Sequence, residues 1–93
     1  MIIYKYQLNL KPSQLFTTVR VPSPCSVVSV GKDAFYNSCV WLMHPVPTED
    51  IKMVKEQFQI RGTGDPFDPG WIPVGTINDG AYFWHVLQFK PQR

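Results

Sequence analysis

The sequence predicts an all-β domain, a small antiparallel sandwich or barrel of about seven strands, and three observations carry that prediction. Apolar and polar residues alternate with a period of two, as in Ile2, Tyr4, Tyr6, Leu8 and Leu10 against Lys5, Gln7, Asn9 and Lys11. Turn-forming Pro, Gly, Asn and Asp residues recur about every ten residues, the rhythm of short strands joined by tight connections. Valine, threonine and aromatic residues, which suit a pleated and half-buried surface, fill the stretches between them.

Each element follows from its own residues. The first strand ends at Lys11-Pro12-Ser13, because proline has no amide proton for a ladder and sets its own backbone angle. Residues 14–21 form a second extended run, with Leu15, Thr17, Val19 and Val21 on one face, and Pro22-Ser23-Pro24 stops it. A third strand covers 25–30 and turns at Gly31-Lys32-Asp33. The fourth, 35–43, is apolar on both faces through Cys39-Val40-Trp41-Leu42-Met43, as expected of a strand that is central or that lends one face to an interface. Residues 49–57 are ambiguous, since Ile51, Val54 and Phe58 have helical spacing and Thr48 suits a cap, so one short helix competes with an irregular loop. Phe58-Gln59-Ile60-Arg61 resumes the period of two, and 71–77 with 81–89 reads as a hairpin around Asp79-Gly80.

With 93 residues the chain forms one domain, 1–93, with a single modest core. Charged residues are 17% of the chain, below the usual quarter, and 44% are apolar, the composition of a folded protein. Nine Lys and Arg against seven Asp and Glu, with no basic run, supply no electrostatic footprint for specific nucleic-acid binding. No apolar run approaches the ~20 residues of a membrane span, and MIIYKYQLNLK is too polar for a signal peptide, so a cytoplasmic protein without membrane contact is expected. Cys25 and Cys39 are too few for a disulfide framework or a four-cysteine zinc site and are expected as thiols.

The stretch most like a site is RGTGDPFDPGW, 61–71. It lacks the Lys and Ser or Thr of a Walker loop and the third Gly of a dinucleotide fingerprint. Its glycines serve first as a strand connection, yet Gly62-Thr63-Gly64 beside Arg61 could form an anion-binding nest of amides. Asp65 and Asp68 each precede a proline and read as turn residues; two carboxylates do not fill a metal shell, and no metal, cofactor or catalytic residue is assigned. His85, mid-strand, reads as a satisfied or interface histidine, and Cys39 as an inert buried thiol. The last strand carries Tyr82, Trp84 and Val86 on one face and Phe83, His85, Leu87 and Phe89 on the other, more rings than a small core absorbs, which points to an interface or a stacking surface.

In order along the chain, Ile3-Tyr4-Lys5-Tyr6, Val21-Pro22, Ser26-Val27-Val28-Ser29-Val30, Val40-Trp41-Leu42-Met43, Phe58 through Gly64, Val74-Gly75-Thr76 and Phe83-Trp84-His85-Val86 resemble a family of short uncharacterised bacteriophage proteins. That family runs I-Y-K-Y, a V-P turn, an S-V strand, a W strand, F-x-I-x-G-T-G, I-G-T and W-H-V-F; this chain departs from it in a longer insert before Phe58 and in its tail after Val86. The resemblance implies a phage origin and carries over no catalytic residue. By analogy with other small phage domains it implies a non-enzymatic counter-defence protein that inhibits a host defence protein or sequesters a small nucleotide signal. The expected ligand-binding residues are Arg61 and the amides of Gly62, Thr63 and Gly64 toward phosphate, with Trp71, Tyr82 or Trp84 stacking on a base, in a homo-oligomer that encloses the ligand. A structural or accessory virion protein that self-assembles is the alternative, and a hydrolase built on His85, Asp65 and Asp68 is the least supported reading.

Overall fold

The computed structural model describes residues 1–8 and 16–90. Seven strands follow one another: β1 (Ile2–Gln7), β2 (Thr17–Pro22), β3 (Ser26–Lys32), β4 (Ser38–His44), β5 (Met53–Gly62), β6 (Trp71–Asp79) and β7 (Tyr82–Phe89). One antiparallel sheet has the order β1-β4-β3 and the other β2-β5-β7-β6. The sheets face each other across a core of Val19, Val21, Val40, Leu42, Phe58, Ile77 and Val86, with Leu8 beside them. Two separate sheets form rather than a closed barrel, so the sandwich is the outcome. The turn expected at Lys11-Pro12-Ser13 lies outside the described residues.

The helix weighed for 49–57 does not form. Residues 49 and 50 make a single turn, with Ile51 N–H donating to Thr48 O at 3.3 Å, and β5 begins at Met53. Residues 53–58 pair with all of β2, from Pro22↔Met53 to Thr17↔Phe58. Val54 and Phe58 are four apart, a spacing that shares one face in a strand as well as in a helix. Sheet pairing wins because a one-turn helix bears the nucleation cost without a partner to repay it.

Two boundaries also move. The turn expected at Gly31-Lys32-Asp33 shifts onto 33–37, so β4 starts at Ser38 rather than at Phe35. In the β6–β7 hairpin Asp79 pairs with Tyr82, so the loop is Gly80-Ala81, one residue later than the Asp79-Gly80 expectation. Gly80 has φ 64° and Ala81 lies outside the positive-φ region, the pattern of a type II′ turn.

The sheets meet most closely where β3 crosses β6. A bulge between Pro73 and Gly75 places Gly75 opposite Val86, and a Cβ there would sit 2.2 Å from Val30 Cγ2. Glycine is required by this approach of backbone to a β-branched side chain. Both cysteines are free thiols. The Cys25 Sγ–H donates to Glu56 Oε1 at 3.5 Å, and burial together with that carboxylate pushes the thiol up to about 11. It is therefore a protonated, unreactive group at neutral pH.

Candidate functional site

The candidate site lies on the face of the four-stranded sheet that points away from the main core. Val86 is in the core, so its neighbours His85 and Leu87 point outward. Cross-strand pairing then defines rows on this outer face: Arg61 opposite His85 opposite Thr76, and Gln59 opposite Leu87 opposite Pro73. Opposed residues in a sheet share a face, so these side chains stand together.

The segment after β5 folds over these rows. The Asp65 N–H donates to Gly62 O at 3.1 Å while the Gly62 N–H donates to Asp65 Oδ2 at 2.9 Å, and Gly64 has φ 91°. This tight turn brings Phe67 to the same hollow as Arg61, His85, Pro73 and Leu87, with a volume of about 220 Å³. Leu87 is fully buried despite pointing away from the core, because the segment covers it.

His85 is held at both ring nitrogens. Thr63 Oγ1 lies 2.8 Å from Nε2 and Thr76 Oγ1 lies 3.2 Å from Nδ1. One hydroxyl accepts the ring N–H and the other donates to the bare nitrogen. Arg61 Nε–H donates to buried Gln59 Oε1 at 2.9 Å, which orients the guanidinium, and no carboxylate pairs with it among the described residues.

The residues expected to bind a ligand divide into two groups. Arg61, Gly62, Thr63 and Gly64 all line the hollow. The Gly62 amide is already engaged by Asp65, whereas those of Thr63 and Gly64 donate to no other described residue. Trp71 is on the same sheet face but two rows away, stacked on Phe16 at 5.1 Å and 17° and tilted against Phe89. Tyr82 and Trp84 lie on the opposite face of β7, where they stack on each other at 6.1 Å and Trp84 packs against the core. The structure brings the first four together with His85; Trp84 is the cross-strand partner of Gly62 with its ring beside that glycine on the opposite sheet face, and Trp71 and Tyr82 stand apart.

The whole chain, residues 1–93, matches the family described as Domain of unknown function (DUF7352). The chain belongs to that family. No curated protein and no solved structure matches it.

In this DUF7352 domain, sequence reasoning leaves Phe67, Pro73 and Leu87 out of the site and reads His85 as a satisfied or interface histidine, or as the centre of the least supported hydrolase reading. One signal was available: the alternation along the last strand already grouped Phe83, His85 and Leu87 on one face. Which face Arg61 shares is a matter of strand register, and register is not written in a single strand. Phe83, half exposed, is the next residue beyond His85 on that face, one row past the residues that line the hollow. Chemically, the arrangement offers one fixed guanidinium, one imidazole locked by hydroxyls, two unengaged amides, the Asp65 carboxylate held by the Gly62 amide, and apolar walls. Asp65 and Asp68 make no hydrogen bond to His85; Asp65 serves the Gly62 amide and the Asp68 carbonyl accepts the Trp71 N–H. Among the described residues no helix is long and apolar enough to cross a membrane.

Proposed function

We propose that this domain is a binding protein rather than an enzyme, and that the hollow beside Arg61 takes the anionic group of a small ligand, a nucleotide phosphate above all. The observation that carries the reading is Arg61 itself, an oriented guanidinium without an ion-pair partner among the described residues, at an otherwise largely apolar hollow. A guanidinium presents a planar fork of donors that matches phosphate or carboxylate oxygens. The Thr63 and Gly64 amides add donors at the same rim. The volume of about 220 Å³ is below the ~300–1,000 Å³ of pockets that enclose a drug-sized ligand. It suits a phosphate with part of a sugar, leaving a base outside to stack on exposed Phe67 or Phe83.

The resemblance to phage proteins supplies the setting: a cytoplasmic counter-defence protein in an infected bacterium that sequesters a nucleotide signal or occupies a host defence protein. The enzyme alternative draws little support from His85, whose partners are two neutral hydroxyls with no carboxylate to stabilise an imidazolium. The structural alternative, an accessory virion component, requires large assemblies.

Native mass spectrometry of freshly purified protein, with and without cyclic and adenine-based nucleotides, separates these readings. Added nucleotide mass on a small, defined particle is the expected result. Arg61→Ala should then weaken binding roughly 10- to 100-fold, the loss of a charge-assisted hydrogen bond, while the protein stays folded at a somewhat lower melting temperature because buried Gln59 Oε1 loses its donor. A folded Arg61→Ala protein that binds as the parent does overturns the phosphate role, and a parent that gains no nucleotide overturns the ligand class.

A further inference from the structure

Away from the hollow, one end of the sandwich exposes aromatic rings on an ordered frame. Loop 33–37 is wound around the Asp33 carboxylate: Oδ1 accepts the amides of Phe35 and Asn37, each at 2.9 Å, and Oδ2 accepts Lys5 Nζ at 2.9 Å. The side chains on its tip, Phe35 and Tyr36, are 82% and 81% exposed. Tyr36 has φ 62°, the left-handed region that a bulky side chain enters only at a cost in backbone energy. Lys32 joins this loop to the neighbouring hairpin, reaching Tyr36 O at 3.3 Å and Asp79 Oδ2 at 3.7 Å. From that hairpin Tyr82, 66% exposed, stands on the sheet face that turns toward β3, backed by the Trp84 ring.

A clamped loop and a braced hairpin thus hold three large rings mostly in water, and among the described residues only Tyr82 has a ring contact, to Trp84. Truncation of large aromatic residues carried on an ordered backbone is what binding surfaces feel most, since each ring offers much contact area for only two side-chain torsions. Their exposed area is roughly 450 Å², close to the apolar share of the ~800 Å² that each partner contributes to a standard interface. The charged rim is balanced. Lys5 and Asp79 have half-exposed side chains, while Asp33 is consumed by its own loop. Both are already paired within the chain, Lys5 with Asp33 and Asp79 with Lys32, so the rim carries no net charge: it meets a copy of itself across a two-fold axis without like-charge repulsion, and it offers no surplus charge for nucleic acid or an anionic bilayer.

From these features we infer that the end formed by Phe35, Tyr36 and Tyr82 is a self-association surface, occupied by the same end of a second copy of this chain. The contact leaves the hollow free, because Arg61, His85 and Phe83 stand on the opposite face of the four-stranded sheet. It is independent of the ligand reading.

Analytical ultracentrifugation from micromolar to near-millimolar protein tests the inference directly. The parent's weight-average mass should rise from 10.7 kDa toward twice that value. A Phe35→Ser/Tyr36→Gly variant, in which glycine suits the backbone at position 36, should dissociate roughly 30-fold more readily, and Tyr82→Ser should do the same from the other hairpin. Circular dichroism melts verify that each variant is folded. A parent that stays at 10.7 kDa at every concentration overturns the inference, as does a dimer that both folded variants leave intact. A monomeric parent that floats with phosphatidylcholine vesicles assigns the rings to a bilayer surface instead and overturns it as well.

Discussion

Asp33 accepts hydrogen bonds from Lys5 and from the amides of Asn37 and Phe35, and these donors hold its carboxyl well below the usual carboxylate range. Its partner Lys5 is raised for the same reason, the hydrogen bond to Asp33. A depressed carboxyl stabilises the fold above its unfolded pKa of ~3.9, and that contribution is lost as pH falls through the folded value. Asp33→Asn should therefore be less stable than the parent at pH 7, and the gap should close as acid protonates the parent. Urea denaturation in steps from neutral pH to below the usual carboxylate range measures it; a gap constant with pH would exclude the ionised carboxylate as its cause. His44 is a buried counterpart of another kind. Its Nδ1–H donates to the Pro45 carbonyl at 2.9 Å, so Nε2 accepts the Tyr6 hydroxyl at 2.8 Å, and burial raises the Tyr6 phenol so that it remains a donor. None of these pairings is visible in sequence, since Lys5 and Asp33 are 28 residues apart and Tyr6 and His44 are 38 apart.

Among the elements, β6 is the one whose detail matters most to the sandwich. Its bulge between Pro73 and Gly75 admits a proline into the strand, and Gly75 lets Val30 of β3 approach the backbone. Gly75→Ala should cost roughly 1–3 kcal/mol, the price of overpacking, because Val30 is short, branched and unable to swing aside. Thermal unfolding of Gly75→Ala alone and with Val30→Ala checks this: the second change should recover part of the loss if the clash is its source. The strand alternation of β7 was legible before its partners were known. The position of β5 was less so, because a four-residue spacing such as Val54 to Phe58 satisfies strand and helix alike, and only pairing with β2 decides between them.

The whole molecule rests on one small core in which Phe58 is, among the described residues, the only fully buried Phe, Tyr or Trp, although the chain holds three Trp, four Tyr and six Phe. A domain of this length is stable by roughly 5–14 kcal/mol, and Phe58→Ala should remove about 3–5 kcal/mol of it. Equilibrium unfolding in urea reads that loss as a lower midpoint; a change under ~1 kcal/mol would mean that the two sheets are held chiefly by other contacts. The aromatic surplus anticipated from composition is thus largely outside the core. It divides among the Phe16, Trp71 and Phe89 stack, the rim of the Arg61 hollow, and the end bearing Phe35, Tyr36 and Tyr82.

What the sequence by itself determined was the all-β class, the approximate places of its strands, the hairpin near Gly80 and the suspicion attached to 61–64. These are legible because period-two alternation, prolines and glycines act on the residues beside them. Only the tertiary structure decided that residues 53–57 are strand, that His85 rather than Tyr82 or Trp84 stands beside Arg61, and that Phe35 and Tyr36 ride on a loop braced by a distant lysine. Each of these turns on which strand lies next to which and in what register, and that outcome is set by burying both sheets against one core, a global condition that no local stretch contains.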